Sequence, residues 1–164
     1  IVSLIILVTD PGPIFFKQKR YGRNRKFFNI LKFRTMKVNT PDVPTDKLKN
    51  PEQYITSIGR FLRKTSLDEL PQLFNIFVGQ MSFIGPRPAL WNQRELIELR
   101  EGVHANDVRP GLSGWAQING RDNISEQKKA MFDGEYVKKM SFWFDCRCFF
   151  GTFVKAFKGD GVKA

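Results

Sequence analysis

The chain has 164 residues, with 27 Lys and Arg against 16 Asp and Glu, for a net charge of +11. That length suits one domain with enough apolar residues for a core, and the charge calls for an anionic partner: nucleic acid, an anionic membrane surface or a phosphorylated substrate. One histidine, His104, excludes a histidine metal cluster and a catalytic triad, while Cys146 and Cys148 stand too close for an ordinary disulfide and lack the companions of a zinc site, so both read as reduced thiols in a cytosolic setting.

In chain order, Ile1 to Val8 comes first, apolar except for Ser3. Eight helical residues reach about 12 Å, against about 30 Å for the hydrocarbon core of a bilayer, so the stretch cannot span. It reads either as a buried strand or helix end, or as the tail of a longer membrane segment. No charged region or small-residue cleavage pattern makes it a complete signal peptide. Pro11-Gly12-Pro13 ends it abruptly. Two β-leaning runs follow, Ile14 to Tyr21 and Phe27 to Met36, joined by Gly22-Arg23-Asn24-Arg25, which predicts a hairpin with a basic tip. Neither face of the second run is cleanly polar, so the hairpin is expected to pack on both sides. Lys37 to Glu52, polar and proline-containing, is the candidate mobile loop.

Ile58, Phe61 and Leu62 fit a short helix with Arg60, Arg63 and Lys64 on its other face. It stops near Thr65, and a second helix runs from about Ser66–Glu69 to Val78, where Gly79 supplies an end. Ser66-x-x-Glu69 fits a capping box; alternatively Asp68 is the N-cap, with Pro71 in the first turn. Either way two adjacent carboxylates, Asp68 and Glu69, sit at a positive helix end. Capping alone would explain them. The neighbouring cations point further: Arg63 and Lys64 lie just upstream, Arg87 is held between Pro86 and Pro88, and Arg109 precedes Pro110. Cations near a helix N-terminus suit a phosphate rather than the helix, and the flanking prolines restrict where each guanidinium starts. Phosphoryl chemistry depends on such positioning. No Walker motif, GxGxxG or HExxH is present, so carboxylates are the available nucleophiles and metal ligands, and a hard cation such as Mg²⁺ would accept them.

Ser125 to Lys139 reads as an ordinary solvated helix. From Phe142 to Phe157, the positions Phe142, Cys146, Phe149, Phe150, Phe153, Val154 and Phe157 follow helical spacing, with Lys155 and Lys158 at the end. This suits either a core helix or one lying in a membrane interface.

Four motifs, "DPGPIFFKQKRYG", "FFNILKFRTM", "TSLDELPQLFNIFVGQMSFIGPRP" and "VRPGLSGWAQINGR", appear in that order. Together they resemble the bacterial sugar transferases, the monotopic polyprenyl-phosphate phosphoglycosyl transferases, over nearly the whole chain from about Asp10 to Ala164. The resemblance implies transfer of a sugar 1-phosphate from a nucleotide diphosphate sugar to undecaprenyl phosphate, with UMP released from a UDP-sugar, as the priming step of exopolysaccharide, capsule or O-antigen synthesis. It implies that Asp68 and Glu69 are the catalytic dyad, that Asp68 is the nucleophile on the β-phosphorus through a covalent aspartyl intermediate, and that the dyad holds Mg²⁺, with Mn²⁺ as the substitute. It also implies that Arg63 binds phosphate near the acceptor and that Arg87 binds near the nucleotide phosphates. Ile1 to Val8 then corresponds to the last part of a re-entrant membrane helix.

The expectation is therefore a single α+β domain over residues 1–164, mostly helical with a small antiparallel hairpin, lying on the cytoplasmic face of the bacterial plasma membrane. Arg109 joins Arg63 and Arg87 as a substrate-binding candidate. The rival is a nucleic-acid-binding module, suggested by the charge and by interleaved aromatics such as Lys26-Phe27-Phe28 and Lys32-Phe33-Arg34; no recognised nucleic-acid motif accompanies them, so nucleic acid is not taken as a partner. An inactive scaffold of the same fold is disfavoured by the intact dyad. Sugar, nucleotide and oligomeric state are not legible in the chain.

Overall fold

The structure is a computed structural model that describes residues 1–41, 48, 50–120 and 124–158. The order of elements is α1 (Val2–Thr9), β1 (Phe15–Tyr21), β2 (Phe27–Phe33), α2 (Ser57–Thr65), α3 (Gln72–Phe77), β3 (Ser82–Ile84), α4 (Arg94–Glu101), β4 (Gly111–Ser113), α5 (Trp115–Ile118), α6 (Glu126–Lys139) and α7 (Phe142–Lys158). The α+β class holds, with helix predominating. Contacts within this α+β domain cluster in two compact units, one built from residues up to Lys17 with Leu31–Leu73, the other from Gln18–Ile30 and the described residues from Phe74 to Lys158. The β1–β2 hairpin has its base in the first unit and its tip in the second.

In the first unit, α1 packs against α2, and Ile6 of α1 and Leu62 of α2 are both buried. Ile1 to Val8 is thus helix rather than strand. Only Ile6 of α1 is buried, and Leu4 and Val8 are exposed. The Arg34 guanidinium donates to the backbone carbonyl of Asp10 and lies 3.5 Å from its carboxylate, while Arg34 N donates to Ile14 O at 2.9 Å. The turn after α1 is thereby tied to the end of β2. Beyond β2 the chain is stitched to the start of α2: Met36 bridges Ile55, Thr56 N donates to Thr35 O at 3.1 Å, and the Thr56 hydroxyl caps α2 by accepting from Gly59 N at 2.9 Å. Gly59 is required by this close approach, since a Cβ there would stand 2.0 Å from Thr35 O. Much of the loop expected from Lys37 to Glu52 lies outside the described residues; its end forms a 3-10 turn over Pro51–Tyr54.

The second unit holds the hairpin tip, where Asn24 and Arg25 adopt positive φ (52° and 63°). The basic tip is engaged rather than free. Arg25 forms a two-pronged ion pair with Glu101 at 3.0 and 2.8 Å, and Arg23 Nε donates to Asp107 O at 3.1 Å. On β2, Phe28 and Ile30 are buried with Met81, and Ile76 packs on them. Phe27, on the opposite face, is half exposed, with Lys19 Nζ 4.4 Å from its ring centre. Burial here is therefore mainly on one face, where the sequence pattern pointed to both. A second sheet, unpredicted, pairs β3 and β4 in parallel with Ser82 opposite Gly111 and Ile84 opposite Ser113. Helix α6 packs on α4 and α5, and α5 on α7.

Two helix readings change. The solvated helix, α6, is capped by Ser125 but buries Ala130, Asp133, Gly134 and Tyr136. In α7 the outward side chains are Phe142, Trp143, Phe149, Phe150, Phe153 and Val154, while Cys148 is fully buried. Cys148 joins Ile84 and Tyr136, with Trp115, Ile118, Val137 and Phe144 packed around them. The apolar stripe read from the sequence is thus largely the exposed stripe. The core contact comes from the row that includes Phe144 and Cys148. Burial, with Asp145 nearby, pushes the Cys148 thiol up to about 11, which suits packing rather than reactivity. The side chains of Lys155, Phe157 and Lys158 lie outside the described set.

Candidate active site

The carboxylate pair is carried by a tight connection between two helices. Helix α2 ends at Thr65, Ser66 turns the chain with φ at 56°, and Leu67–Glu69 forms a single 3-10 turn before α3 begins at Gln72. Neither capping arrangement expected from the sequence forms: the Ser66 side chain makes no cap hydrogen bond, and Asp68 lies inside the 3-10 turn rather than at an N-cap. The reason is visible at Ser66, whose left-handed backbone serves as the C-cap of α2 and so cannot also be the extended N-cap of a capping box.

Released from capping, the two carboxylates take different environments. Asp68 is buried at 9% exposure, an uncommon state for a carboxylate. Glu69 Oε1 accepts from Lys32 Nζ at 2.7 Å, with both of these side chains mostly buried. Lys32 comes from β2, so the hairpin base delivers a cation to the dyad. Arg63, on the last turn of α2, donates from Nε to Thr35 Oγ1 at 2.9 Å. Burial pulls its guanidinium below the ordinary arginine value, opposed by the charges of Asp68 and Glu52. A partly desolvated cation beside a buried carboxylate gains from any further anion that reaches it. One turn past Asp68, Gln72 is 1% exposed and its Nε2 has no hydrogen-bond partner among the described residues.

The structure thus brings Asp68, Glu69 and Arg63 together in the first unit. Arg87 and Arg109 belong to the second. Every carbonyl from Pro86 to Ala89 is held: Pro86 O accepts from Gly111 N at 2.9 Å, Arg87 O from Arg100 Nη1 at 2.9 Å, Pro88 O from Arg20 Nη1 at 3.0 Å and Ala89 O from Tyr21 N at 2.9 Å. Gly111 is needed for this approach, because a Cβ there would meet Gly85 N at 2.2 Å. Arg87 itself is half-buried. Arg109 is exposed, and the following Pro110 O accepts from Ser82 N at 2.8 Å, fixing the backbone where β4 begins.

The donor set at the dyad is all oxygen, which fits a hard divalent cation. Among the described residues no group of three or more His, Cys, Asp or Glu side chains gathers. A cation held by Asp68 and Glu69 would therefore take its remaining positions from water and substrate phosphates, the usual arrangement for Mg²⁺. Lys32, Thr35, Arg100 and Asp133 were missed by sequence reasoning. Lys32 and Thr35 sit within an ordinary alternating strand run, and Arg100 and Asp133 meet across 33 residues with no local spacing to mark them.

The chain belongs to the bacterial sugar transferase family, whose model matches residues 1–159. It is 40% identical over 163 residues to the UDP-glucose:undecaprenyl-phosphate glucose-1-phosphate transferase of Escherichia coli, an alignment covering 95% of this chain and 35% of that protein. It is 36% identical over 175 residues to the undecaprenyl-phosphate galactose phosphotransferase of Salmonella typhimurium, covering 93% and 35% respectively. With the uncharacterised sugar transferase EpsL of Bacillus subtilis it shares 41% identity over 168 residues, covering 98% of this chain and 82% of that one. The chain spans about a third of the length of the Escherichia coli and Salmonella relatives.

Replacing Lys32 by Met should remove the ammonium that Glu69 Oε1 accepts from. Loss of a charged hydrogen bond of this kind costs roughly 1 to 3 kcal/mol, so thermal denaturation should show a lowered midpoint, and transferase turnover should fall. An unchanged midpoint together with unchanged turnover would mean that the pair neither holds the dyad nor serves it.

Proposed function

We propose that this chain transfers a sugar 1-phosphate from a UDP-sugar to undecaprenyl phosphate, releasing UMP, through a covalent intermediate on Asp68. The observation that carries the proposal is the pairing of a buried Asp68 with a Glu69 held by Lys32, beside the partly desolvated Arg63. The names of the Escherichia coli and Salmonella relatives, which specify undecaprenyl phosphate and glucose or galactose phosphate transfer, support it.

In the first step an Asp68 carboxylate oxygen attacks the β-phosphorus, which bears the sugar. The bond between that phosphorus and the bridging oxygen breaks, its electron pair leaves with UMP, and an aspartyl phosphosugar remains. In the second step a phosphate oxygen of undecaprenyl phosphate attacks the same phosphorus, the aspartyl oxygen leaves as carboxylate, and undecaprenyl diphosphate-sugar forms. Two phosphoryl transfers replace one direct encounter between two anions. Lys32 keeps Glu69 oriented, Arg63 binds the acceptor phosphate, Arg87 binds the nucleotide phosphates, and Arg109 offers a further cation to substrate. Asp68 and Glu69 would hold Mg²⁺, or Mn²⁺ in its place, which would offset charge on the pyrophosphate.

The acceptor is a lipid, and the exposed apolar side chains suit a membrane interface. No helix among the described residues is long and apolar enough to cross a membrane. Phe149, Phe150 and Phe153 of α7 nevertheless face outward, with ring centres 5.7 and 4.8 Å apart for the two neighbouring pairs. Clustered aromatics on one exposed helix face, on a chain of +11 charge, favour peripheral attachment to anionic lipid. These features support attachment to a membrane surface; the cytoplasmic face of the bacterial plasma membrane, and the priming step of a surface polysaccharide such as capsule or exopolysaccharide, are part of the proposal.

The nucleotide product is the sharpest test of the reaction: UMP is expected, and UDP would identify an ordinary glycosyl transfer instead. Asp68→Asn should lower turnover by on the order of a thousandfold or more with the fold intact, and near wild-type turnover in that variant would remove Asp68 as nucleophile. EDTA should stop the reaction and Mg²⁺ restore it; full activity in EDTA would remove the cation. For the membrane placement, co-sedimentation with anionic vesicles should persist partly in 1 M salt and weaken when Phe150 and Phe153 are replaced by Ser. Binding that vanishes entirely with salt would make the attachment purely electrostatic.

A further inference from the structure

We propose that Arg100 and Asp133 are a positioning pair whose task is to fix the backbone of Arg87 for the nucleotide sugar. The inference rests on the reading of Arg87 as a donor-phosphate ligand.

Arg100 lies on α4 and Asp133 on α6, and both are almost fully buried, at 5% and 1% exposure. Arg100 Nε donates to Asp133 Oδ2 at 2.8 Å, and Nη2 lies 2.6 Å from the same oxygen. Burial pushes the Asp133 carboxyl upward, and the Arg100 charge opposes that shift. A buried ion pair is weak evidence of a stability role, because well-packed apolar residues of similar volume often serve as well or better. A geometric role explains why a guanidinium in particular occupies this place. The fork of Arg100 has a further prong, Nη1, which donates to the Arg87 carbonyl at 2.9 Å. A planar guanidinium can grip a carboxylate on one edge and a carbonyl on another, whereas an ammonium is a point charge without that fixed fork.

The recipient of that bond is unusual in its needs. Pro86 and Pro88 have no N–H, so the backbone around Arg87 has few donors with which to anchor itself. Being followed by proline also confines Arg87 to an extended conformation. Its carbonyl is therefore a principal handle, and Arg100 holds it. The neighbouring carbonyls are fixed by Gly111, Arg20 and Tyr21. With the main chain fixed on both sides, the Arg87 side chain starts from a defined position. Phosphate binding is sensitive to such placement, since a displacement of about 1 Å can cost about a hundredfold in rate.

The test is a double-mutant cycle between Arg100→Lys and Arg87→Ala, read as kcat/KM for the UDP-sugar at saturating undecaprenyl phosphate. Lysine keeps a cation opposite Asp133 and loses the fork. Arg100→Lys alone should lower donor kcat/KM by about tenfold to a hundredfold, leave kcat/KM for the acceptor unchanged, and cause no further loss in the Arg87→Ala background, because both changes act through one side chain. Asp133→Asn, run through the same cycle, should behave alike and keeps the test independent of one variant's folding. A merely structural role would multiply the loss equally in both backgrounds and would overturn the proposal, as would undiminished donor kcat/KM in Arg100→Lys. Should Arg87→Ala itself leave donor kcat/KM intact, the donor reading of Arg87 falls and the positioning role falls with it. Loss in Arg87→Ala but not in Arg100→Lys removes the positioning role alone.

Discussion

The ion pair between Lys32 and Glu69 answers the central electrostatic constraint of this molecule. Two carboxylates adjacent in sequence repel each other, and both repel a pyrophosphate; a catalyst built on them must bring cations from elsewhere in the chain. The hairpin base does this. β2 carries Lys32 to Glu69, and two residues beyond its end Thr35 holds Arg63 by a 2.9 Å hydrogen bond. The close seating of Gly59 against Thr35 and the tie between Arg34 and the turn at Asp10 fix the strand end from which those contacts arise. Glu69 is thereby ion-paired in place, next to the buried Asp68 that we propose as the nucleophile.

The two arginines that we propose as ligands of substrate phosphates are positioned by different means. Arg63 is held through its own side chain, with Nε occupied by Thr35, which leaves the terminal nitrogens as further donors. Arg87 is held through its main chain, where successive carbonyls are pinned and a buried guanidinium reaches its carbonyl. Both devices lower the entropic cost of presenting a long flexible side chain to an anion. In the first unit the fixing group is a single hydroxyl, while in the second it is an ion pair joining two helices.

Much of this was legible in the chain. The hairpin ends fell within a few residues of the expected ones, because Pro11-Gly12-Pro13 and Gly22-Arg23-Asn24-Arg25 punctuate strongly. Asp68, Glu69 and Arg63 were read as neighbours because they are neighbours in sequence, within one turn and a helix end. Contacts between distant segments were not legible. Lys32 lay in a strand run with no cleanly polar face to single it out, Asp133 lay in a helix read as solvated, and Arg100 carried no local pattern at all. The β3–β4 pair escaped because strands of three residues carry too little alternation to register. The capping box failed for a local reason, since a left-handed Ser66 satisfies the helix before it. The α7 stripe was read correctly in spacing, and of the two alternatives left open for its side, core or exposed, its described Phe residues take mostly the exposed one, while Cys148 is buried.

The central claim is that Asp68 becomes covalently bonded to the sugar phosphate. Mass spectrometry of the chain mixed with a UDP-sugar in the absence of undecaprenyl phosphate tests it most directly. The account predicts release of up to one equivalent of UMP, a gain of one sugar phosphate per chain mapping to the Asp68 peptide, and loss of that adduct when acceptor is added. No adduct, with UMP appearing only once acceptor is present, would contradict it and point to direct transfer between the two substrates.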